Sequence, residues 1–446
     1  MFRRLLLILA YSSWDKNFYP TYKRLVENQW KSYDELKKEQ EKKLRNMINF
    51  CYKEVPYHHK LFKELKLSPD DIKIIEDLEK LPILTKEIIK QNWEDFKPVN
   101  LNKMKYYKGA TGGSTGTPFK YRLYKFDRFL GWAMLYRGWG YAGYELGDKM
   151  VFLGGSSLGI GTQTLTTRVH EVARNLRKLS SFDMGEKEMR EYANIFNSFK
   201  PKFIRGYASS IYFFSKWIEE NEIKVHQPLG VFTAAEKLHS NMRKKIGAVF
   251  NCDVYDTYGL IDGGVSAYEC SEHCGLHIDT ERSIMEVVDK DRNQLEDGEG
   301  EILATSLYNF AMPFIRYDTG DLGYIIDDVC SCGRGYKLLK ELVGRSADFL
   351  ITPEGRNVHG WFFLHIFLEY GEGIKEYQVI QEKLDKIVIK IVPEGGFDEK
   401  QLDKIREIIK KRSERWNVEF KFVDAIDRTR AGKYKFIINK IKEENI

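Results

Sequence analysis

A run of small and hydroxyl-bearing residues, TGGSTG at 111–116, interrupts a chain otherwise rich in lysine, glutamate and large apolar side chains. It is not a Walker A loop, because Gly116 is followed by Thr117 and Pro118 where that loop requires lysine. It also lacks the glycine spacing of a dinucleotide fingerprint. Glycines allow close backbone approach, and hydroxyl and backbone N–H groups can surround an anion. The run predicts a phosphate-binding loop, with a flexible linker as the alternative. Its members are Thr111, Gly112, Gly113, Ser114, Thr115 and Gly116.

Further polar stretches follow in a defined order, and each contains groups that can bind a nucleotide or a metal ion. Taken singly, most of them are better explained as a turn, a helix cap or a surface ion pair, so their order carries the argument. The candidate residues are Ala235 and Glu236 in TAAEKL, Asp256, Tyr258, Gly259 and Asp262 in YDTYGLIDGG, Asp321 in IRYDTGDLG, Arg345 in LVGRSADFL and Lys433 in RTRAGKYKF.

Four of the six cysteines form two close pairs, Cys270 with Cys274 in CSEHC and Cys330 with Cys332 in CSC. Paired cysteines in a reducing compartment indicate metal binding more often than a disulfide. Four thiolates suit a structural Zn²⁺ site, which has no open position for chemistry. His273 or His277 could replace one thiolate. We therefore expect one zinc ion, with four reduced and unliganded thiols as the alternative.

Composition narrows the possible classes of protein. With 446 residues, of which 43% are hydrophobic, the chain can form two or more domains. The net charge of +6 is mild and does not indicate nucleic-acid binding, for which basic residues are usually concentrated on one surface. No apolar run approaches the ~18 residues of a membrane span. The start, MFRRLLLILAYSS, has the charge pattern of a signal peptide but no A-x-A site, so we expect a cytoplasmic protein.

The pattern of apolar residues predicts the elements that must position these groups. An apolar stripe at helical spacing in 34–55, and a second helical pattern in 68–93, predict a helical N-terminal region of about 100 residues. From about 105 to 345, strand-like runs alternate with helical ones, as in α/β proteins. After about 345 a strand, an amphipathic helix and another strand follow. We predict a large α/β domain over 1–346 and a small, mobile α+β domain over 347–446.

In this order the motifs resemble those of the adenylate-forming ligases, the superfamily of the acyl-CoA synthetases. TGGSTGTP resembles the phosphate loop of that family, and YDTYGLID resembles its Tyr-Gly-x-Thr-Glu segment. YDTGD matches Tyr-x-Thr-Gly-Asp, GRSAD matches the hinge motif, and RTRAGKYKF is similar to the final Arg-Thr-x-x-Gly-Lys motif. VPYHHKLF, LEKLPILTKEII and the segment from LHIDTE to YDTGD are most similar to the phenylacetate-CoA ligase branch and its CapK-type relatives.

The resemblance implies a two-step reaction. A carboxylate attacks the α-phosphorus of ATP, giving an acyl-adenylate and pyrophosphate, and a thiol or amine then displaces AMP. The implied cofactors are ATP, Mg²⁺ and CoA, and the implied partners are a small carboxylic acid and its acceptor. The resemblance leaves a homodimer open.

The resemblance also implies roles for particular residues. The glycine loop would hold the outgoing pyrophosphate, and Lys433 would lie where the carboxylate meets the α-phosphate. Asp321 would bind the ribose hydroxyls, and Arg345 would bind ribose or phosphate. Tyr258 and residues 234–236 would flank the adenine, with Asp256 and Gly259 beside them. Asp348 would be the hinge of the C-terminal domain.

Two positions depart from the family pattern. Asp262 stands where the family usually has glutamate, so a carboxylate for Mg²⁺ is kept on a shorter side chain. Thr117 stands where many relatives have lysine, which removes a positive charge from the pyrophosphate site. The aromatic residues Trp132, Tyr136 and Tyr207 are candidates for the acyl pocket, although aromatic side chains serve equally often as core.

Three further readings stay open. The acyl group could pass to an amine or hydroxyl in capsular polysaccharide synthesis. The protein could instead adenylate a coenzyme without acyl transfer. It could also be a regulatory protein that binds nucleotide without turnover, although Lys433, Asp321 and Arg345 are all retained.

Overall fold

The computed structural model describes residues 2–13, 15–110, 119–155, 171–181, 184–345, 349–355, 357–359, 361–428 and 434–441. The chain divides into two compact units, the first reaching Val343 and the second beginning at Gly344. The mixed α/β fold predicted from the sequence is confirmed. In the described part of the chain, no helix is both long and apolar enough to cross a membrane.

The first unit begins with helices, as the sequence predicts. The longest, α3, begins after Ser32, whose hydroxyl accepts the Glu35 N–H while the Glu35 carboxylate accepts the Ser32 N–H. This capping box satisfies two backbone donors at the helix start. The apolar stripe of α3 is buried at Leu36, Leu44 and Met47. The bounds are α1 Phe2–Ser12, α2 Phe18–Asn28, α3 Tyr33–Glu54, α4 Pro56–Glu64, α5 Lys86–Gln91 and α6 Lys125–Gly140.

A five-stranded parallel sheet with the order β4-β3-β5-β6-β7 forms the centre of the first unit. One apolar cluster joins this sheet to α1, α2 and α6, and another joins it to the three helices that follow β4, β5 and β6. Burial on both faces explains the apolar strand sequences. The bounds are β3 Met150–Gly154, β4 Leu176–Ser180, α7 Glu186–Phe199, β5 Phe203–Gly206, α8 Ala208–Glu220, β6 Gly230–Thr233, α9 Ser240–Phe250 and β7 Asp253–Tyr255.

A seven-stranded sheet with the order β11-β12-β13-β14-β10-β9-β8 follows directly. Only Asp256 separates β7, in the parallel sheet, from β8 in the second sheet. The polar residues of this part of the chain therefore lie where the two sheets meet. The bounds are β8 Thr257–Gly259, β9 Ser266–Glu269, β10 Leu276–Ile278, β11 Ser283–Val288, β12 Gly298–Ser306, β13 Tyr317–Ile326 and β14 Leu338–Arg345, with the hairpin β1 Tyr106–Ala110 and β2 Lys120–Tyr124 elsewhere in the unit.

The second unit contains a hairpin and a four-stranded sheet with the order β19-β18-β17-β20. Its core joins the sheet to both helices and includes Trp416, which is fully buried. The predicted strand, amphipathic helix and strand are β18, α11 and β19. The bounds are β15 Phe349–Ile351, β16 Asn357–His359, α10 Trp361–Tyr370, β17 Ile374–Lys383, β18 Lys386–Pro393, α11 Lys400–Lys410, β19 Asn417–Phe422 and β20 Ile437–Asn439.

Candidate active site

Several predicted nucleotide-binding residues lie at the carboxyl edge of the parallel sheet, where open α/β sheets usually bind ligands. Residues 234–236 follow the last residue of β6, and Ala235 has a φ of +66°. The Glu236 carboxylate accepts the Ser209 N–H at 3.0 Å, which links the turn after β6 to the start of α8. This contact fixes the backbone that is predicted to flank the adenine.

Asp256 lies at the junction of the two sheets and is buried. Its Oδ1 accepts the Thr233 hydroxyl at 2.7 Å and the Thr257 N–H at 2.9 Å. Burial raises its pKa to about 6, with the nearby Glu269 carboxylate adding to the shift. These contacts make Asp256 a brace between β6 and β8, which holds Tyr258 in place.

Tyr258 and Asp321 meet although they lie on strands that are not neighbours in the sheet. The Tyr258 hydroxyl donates to Asp321 Oδ2 at 2.9 Å. The turn before Asp321 is fixed because Asp318 Oδ1 accepts the Gly320 N–H at 2.7 Å and the Thr319 hydroxyl accepts the Asp321 N–H at 3.1 Å. Gly320 has a φ of +74°, which favours glycine at this position.

Asp262 is buried in the turn after β8, and Tyr317 at the start of β13 donates its hydroxyl to Asp262 Oδ2 at 2.8 Å. Asp262 Oδ1 is buried and has no hydrogen-bond partner among the described residues. Burial raises the pKa of Asp262, and the negative charge of Asp321 contributes to the increase. The two carboxylates therefore lie close enough to interact electrostatically.

The structure describes some of the remaining predicted site residues but not others. Thr111 to Gly116, Asp348 and Lys433 lie outside the described residues, so their assigned roles stay predictions. Arg345 ends β14, and Gly259 ends β8 and is exposed.

The residues predicted for the acyl pocket are buried or half-buried around the parallel sheet. The Tyr136 hydroxyl lies 3.1 Å from that of Tyr11 and accepts Arg174 Nε–H at 3.2 Å. The Arg174 guanidinium is 4.6 Å from the centre of the Trp132 ring. Tyr207 is fully buried and follows the end of β5. Trp132 and Tyr136 therefore both contact Arg174. Tyr207 lies on a different part of the chain, directly after β5.

Three of the four predicted zinc ligands come together, joined by His277. Cys270 Sγ lies 3.6 Å from Cys330 Sγ, and Cys332 Sγ lies 3.4 Å from His277 Nε2. The four ligand atoms lie within 4.8 Å of one another. Cys274 is exposed, and its thiol donates to the Glu272 carbonyl at 3.5 Å.

Two residues here were missed or underestimated by the sequence reasoning. The YDTGD motif predicts no role for Tyr317, yet Tyr317 supplies the hydroxyl bonded to Asp262. The sequence predicts His277 only as a substitute for one of the four thiolate ligands. The alternation of β10, which places His277 on the face of the sheet toward Tyr141, is the signal that favours it.

Comparisons with known proteins identify relatives of this chain. Residues 350–440 match the family described as CapK C-terminal domain. The chain is 26% identical to Protein CapK of Staphylococcus aureus, over 96% of this chain and 93% of that protein. It is 30% identical to phenylacetate-coenzyme A ligase of Aromatoleum evansii, over 72% of each chain.

The fold is that of a solved ligase structure. The crystal structure of 2-hydroxyisobutyryl-CoA ligase in the postadenylation state has a TM-score of 0.73 to this chain, with 94% of each chain covered and 15% identity. At that identity the likeness concerns the fold, while the sequence identity to the A. evansii enzyme establishes the family. The chain belongs to the phenylacetate-coenzyme A ligase family of AMP-forming acid–CoA ligases.

Proposed function

We propose that this protein uses ATP to activate a small carboxylic acid as an acyl-adenylate, with release of pyrophosphate, and then transfers the acyl group to the thiol of CoA. The observation that carries this proposal is the buried Asp262 carboxylate, which has one oxygen bonded to Tyr317 and the other without a partner among the described residues. A buried charge is costly unless it is paired, so this oxygen favours a cation ligand.

The other described residues act by positioning the nucleotide. Asp321 accepts the ribose hydroxyls, and Tyr258 orients its carboxylate through the 2.9 Å hydrogen bond. The turn at 234–236, held by Ser209, lies against the adenine. Because phosphoryl transfer depends mostly on positioning and charge neutralisation, rigid placement of these groups is a direct contribution to the rate.

The remaining roles rest on the motifs. The loop at 111–116 receives the pyrophosphate, and Lys433 and Arg345 supply positive charge around the α-phosphate and ribose. The second unit acts as a lid that turns about Asp348 between the two half-reactions. These assignments follow from the family to which the chain belongs.

Asp262 fits the requirements of Mg²⁺, a hard cation that prefers oxygen ligands and is commonly bound by one or two carboxylates together with substrate phosphates. When bound, Mg²⁺ neutralises phosphate charge. Asp262 would hold the ion through its free oxygen, while Tyr317 fixes the carboxylate. The negative charge of Asp321 makes ionisation of Asp262 less favourable, and a bound cation would offset this repulsion.

Replacing Asp321 with asparagine should raise the KM for ATP in ATP–pyrophosphate exchange by roughly 10- to 100-fold, the equivalent of losing one charge-assisted hydrogen bond. Asp327→Asn is the matched control, because Asp327 is an exposed carboxylate just beyond the end of the same strand. An equal change in both variants, or none in Asp321→Asn, would contradict the assignment.

The substrates are identified by the same assay with a panel of carboxylic acids. Aryl acids are tested first, because the chain is similar to phenylacetate-coenzyme A ligase of Aromatoleum evansii. The rate of AMP release is then measured separately with CoA, with amines and with saccharides as the acceptor, and the three rates are compared. Exchange that proceeds while only an amine or hydroxyl acceptor is acylated would favour the polysaccharide alternative, and nucleotide binding without exchange for any acid would favour a regulatory protein.

We also propose a structural zinc ion held by Cys270, His277, Cys330 and Cys332. A tetrahedral site with Zn–S bonds of about 2.3 Å has ligand–ligand edges of about 3.7 Å, close to the 3.6 and 3.4 Å separations here. The Cys270 carbonyl accepts the His273 N–H at 3.1 Å, and the Cys330 carbonyl accepts the Gly333 N–H at 3.1 Å. Each cysteine thus opens a tight turn, and the ion would join the two turns.

Metal analysis of protein purified without added zinc should find about one Zn²⁺ per chain. Cys332→Ser should lose the ion and lower the thermal midpoint, because a cross-link between distant segments is removed. Cys274→Ser should keep the ion and is the matched control, since it changes a thiol of the same motif. Equal metal loss in both variants would restore the four-cysteine ligand set, and metal-free protein that unfolds cooperatively would reject the site.

A further inference from the structure

Arg174 and Arg205 of the first unit are half-buried, and each has a guanidinium nitrogen that is buried without a hydrogen-bond partner among the described residues. Arg137, Arg282 and Arg316 each form an ion pair with at least one buried carboxylate. Arg174 and Arg205 form no ion pair within the described part of the chain, and the same holds for the buried Arg122, which lies over the Trp93 ring. Buried charges in proteins are usually paired, so two unpaired guanidinium groups close together need an explanation.

Arg205 lies on β5, one residue before the strand ends, and is set in aromatic surroundings. Its guanidinium carbon is 5.0 Å from the Trp139 ring centre and 5.4 Å from that of Phe152. Its Nε is buried and has no hydrogen-bond partner among the described residues. Burial lowers the pKa of Arg205 to about 10, and the positive charge of Arg174 contributes to the decrease.

Arg174 lies against other aromatic rings of the same apolar cluster. It lies over the rings of Trp132 and Tyr11, and its Nε–H donates to the Tyr136 hydroxyl at 3.2 Å. Its Nη2 is buried without a partner in the described structure. The rings of Tyr136 and Trp139 are 5.2 Å apart and join the two guanidinium environments.

One acidic residue lies close to Arg174 in the sequence: Glu171 is buried three positions before it and pairs with Lys178 at 3.9 Å. Residues 156–170, which follow β3, contain no aspartate or glutamate. Cation–π contacts stabilise a guanidinium by less than the cost of burying an unpaired charge. An anion supplied by a ligand would relieve both the desolvation and the repulsion between the two arginines.

The position of Arg205 indicates which ligand would supply the anion. β5 lies beside β6, and the loop after β5 is joined to the turn after β6 by the Ser209–Glu236 hydrogen bond. Arg205 is therefore one strand from the turn assigned to the adenine, on the side of the candidate acyl-pocket residues. We propose that Arg205, supported by Arg174, binds a second anionic group, a carboxylate or phosphate, carried by the acid substrate.

This inference rests on the proposed function and gives it a substrate class. The enzyme would prefer a flat acid with a distal negative charge over the matching neutral acid. A guanidinium can bind a carboxylate or phosphate with two parallel hydrogen bonds, and the aromatic rings can pack against the body of the acid. A neutral acid would leave both arginines unpaired.

The test compares 4-carboxyphenylacetate with 4-methylphenylacetate, its uncharged counterpart, in ATP–pyrophosphate exchange without CoA, using the full-length protein. We expect a kcat/KM at least tenfold higher for the charged acid. Arg205→Met should lower that value by roughly 10- to 100-fold and leave the neutral acid within about threefold. Arg205→Lys keeps the charge but cannot form two parallel hydrogen bonds, so its kcat/KM for the charged acid should lie between those of the parent protein and Arg205→Met. Arg177→Met, an exposed arginine on β4, is the matched control.

Binding gives a readout that does not depend on turnover. Inorganic phosphate, 4-carboxyphenylacetate and 4-phosphonooxyphenylacetate should each raise the thermal midpoint of the parent protein more than that of Arg205→Met. Equal shifts in both proteins for all three probes would overturn the inference. So would a variant that is altered only in its KM for CoA, because the arginines would then serve the phosphates of CoA. Exchange with neutral acids alone would reject the anion site while the proposed function stands.

Discussion

Replacing Lys433 with alanine should slow acyl-adenylate formation by roughly 10²- to 10³-fold, the usual cost of removing one group that stabilises charge in a transition state. Negative charge builds up where the carboxylate attacks the α-phosphate, and a cation placed there acts on that step alone. ATP–pyrophosphate exchange with a saturating acid measures the effect. Folding should be unaffected, because a single lysine in a polar, glycine-containing segment contributes little to stability.

Two comparisons make this expectation specific. Lys421→Ala is the matched control, because this lysine of the same unit is paired with Glu419 on β19 and lies outside the motif. The second comparison starts from preformed acyl-adenylate and measures thioester formation with CoA, which should change much less in Lys433→Ala. An exchange rate equal to that of the parent protein, or equal losses in both half-reactions, would remove Lys433 from the adenylation step.

Replacing Arg137 with methionine should destabilise the protein by about 3–5 kcal/mol, because it leaves buried carboxylates without their cation. Arg137 is 1% exposed and contacts Asp279, Glu281 at 2.8 Å and the Tyr336 hydroxyl. The thermal midpoint should fall by roughly 10 °C. Arg128→Met is the matched control, since Arg128 is exposed on the same helix and lies over the Tyr107 ring at 4.3 Å.

The pH dependence of this loss distinguishes charge from packing. Burial raises the pKa of Asp279 to about 7, although Arg137 opposes the increase. A raised pKa means that the stability contributed by this carboxyl is complete below its unfolded value of about 4 and is lost as the pH rises to 7. Without Arg137 the pKa rises further, so the loss continues at higher pH. The gap between parent and variant should therefore be larger at pH 8 than at pH 6.

Neutralising the two carboxylates provides the rescue. Adding Asp279→Asn and Glu281→Gln to Arg137→Met should restore part of the lost stability, because the uncompensated charges are removed. A pH-independent gap together with no rescue would mean that Arg137 acts through its packed side chain alone.

The class of fold and the positions of many elements could be predicted from the amino-acid sequence alone. The apolar stripe of α3 and the alternation of β18 are local patterns, and one buried face is enough to specify each of them. The order of the motifs likewise identified the family before any contact was known, because glycines, carboxylates and hydroxyls at those spacings are set by the chemistry of nucleotide binding. Asp262 and Asp321 could be selected in this way, although 59 positions separate them in the chain.

Which side chains meet depends on the three-dimensional fold and could not be predicted from the sequence. Nothing local to Tyr258 predicts its bond to Asp321, because β8 and β13 are not neighbours in the sheet. Nothing local to Asp262 predicts Tyr317, because the turn after β8 meets the start of β13 only in the folded chain. Spacing favoured Cys274 as a zinc ligand, yet the pairing of β10 with β9 and β14 brings His277 to the other thiols and leaves Cys274 exposed. Arg174 and Arg205 look like ordinary charged residues in the sequence. Their lack of acidic partners within the described structure depends on the whole arrangement of strands and helices around them, because burial and pairing are properties of three-dimensional neighbours and not of spacing along the chain.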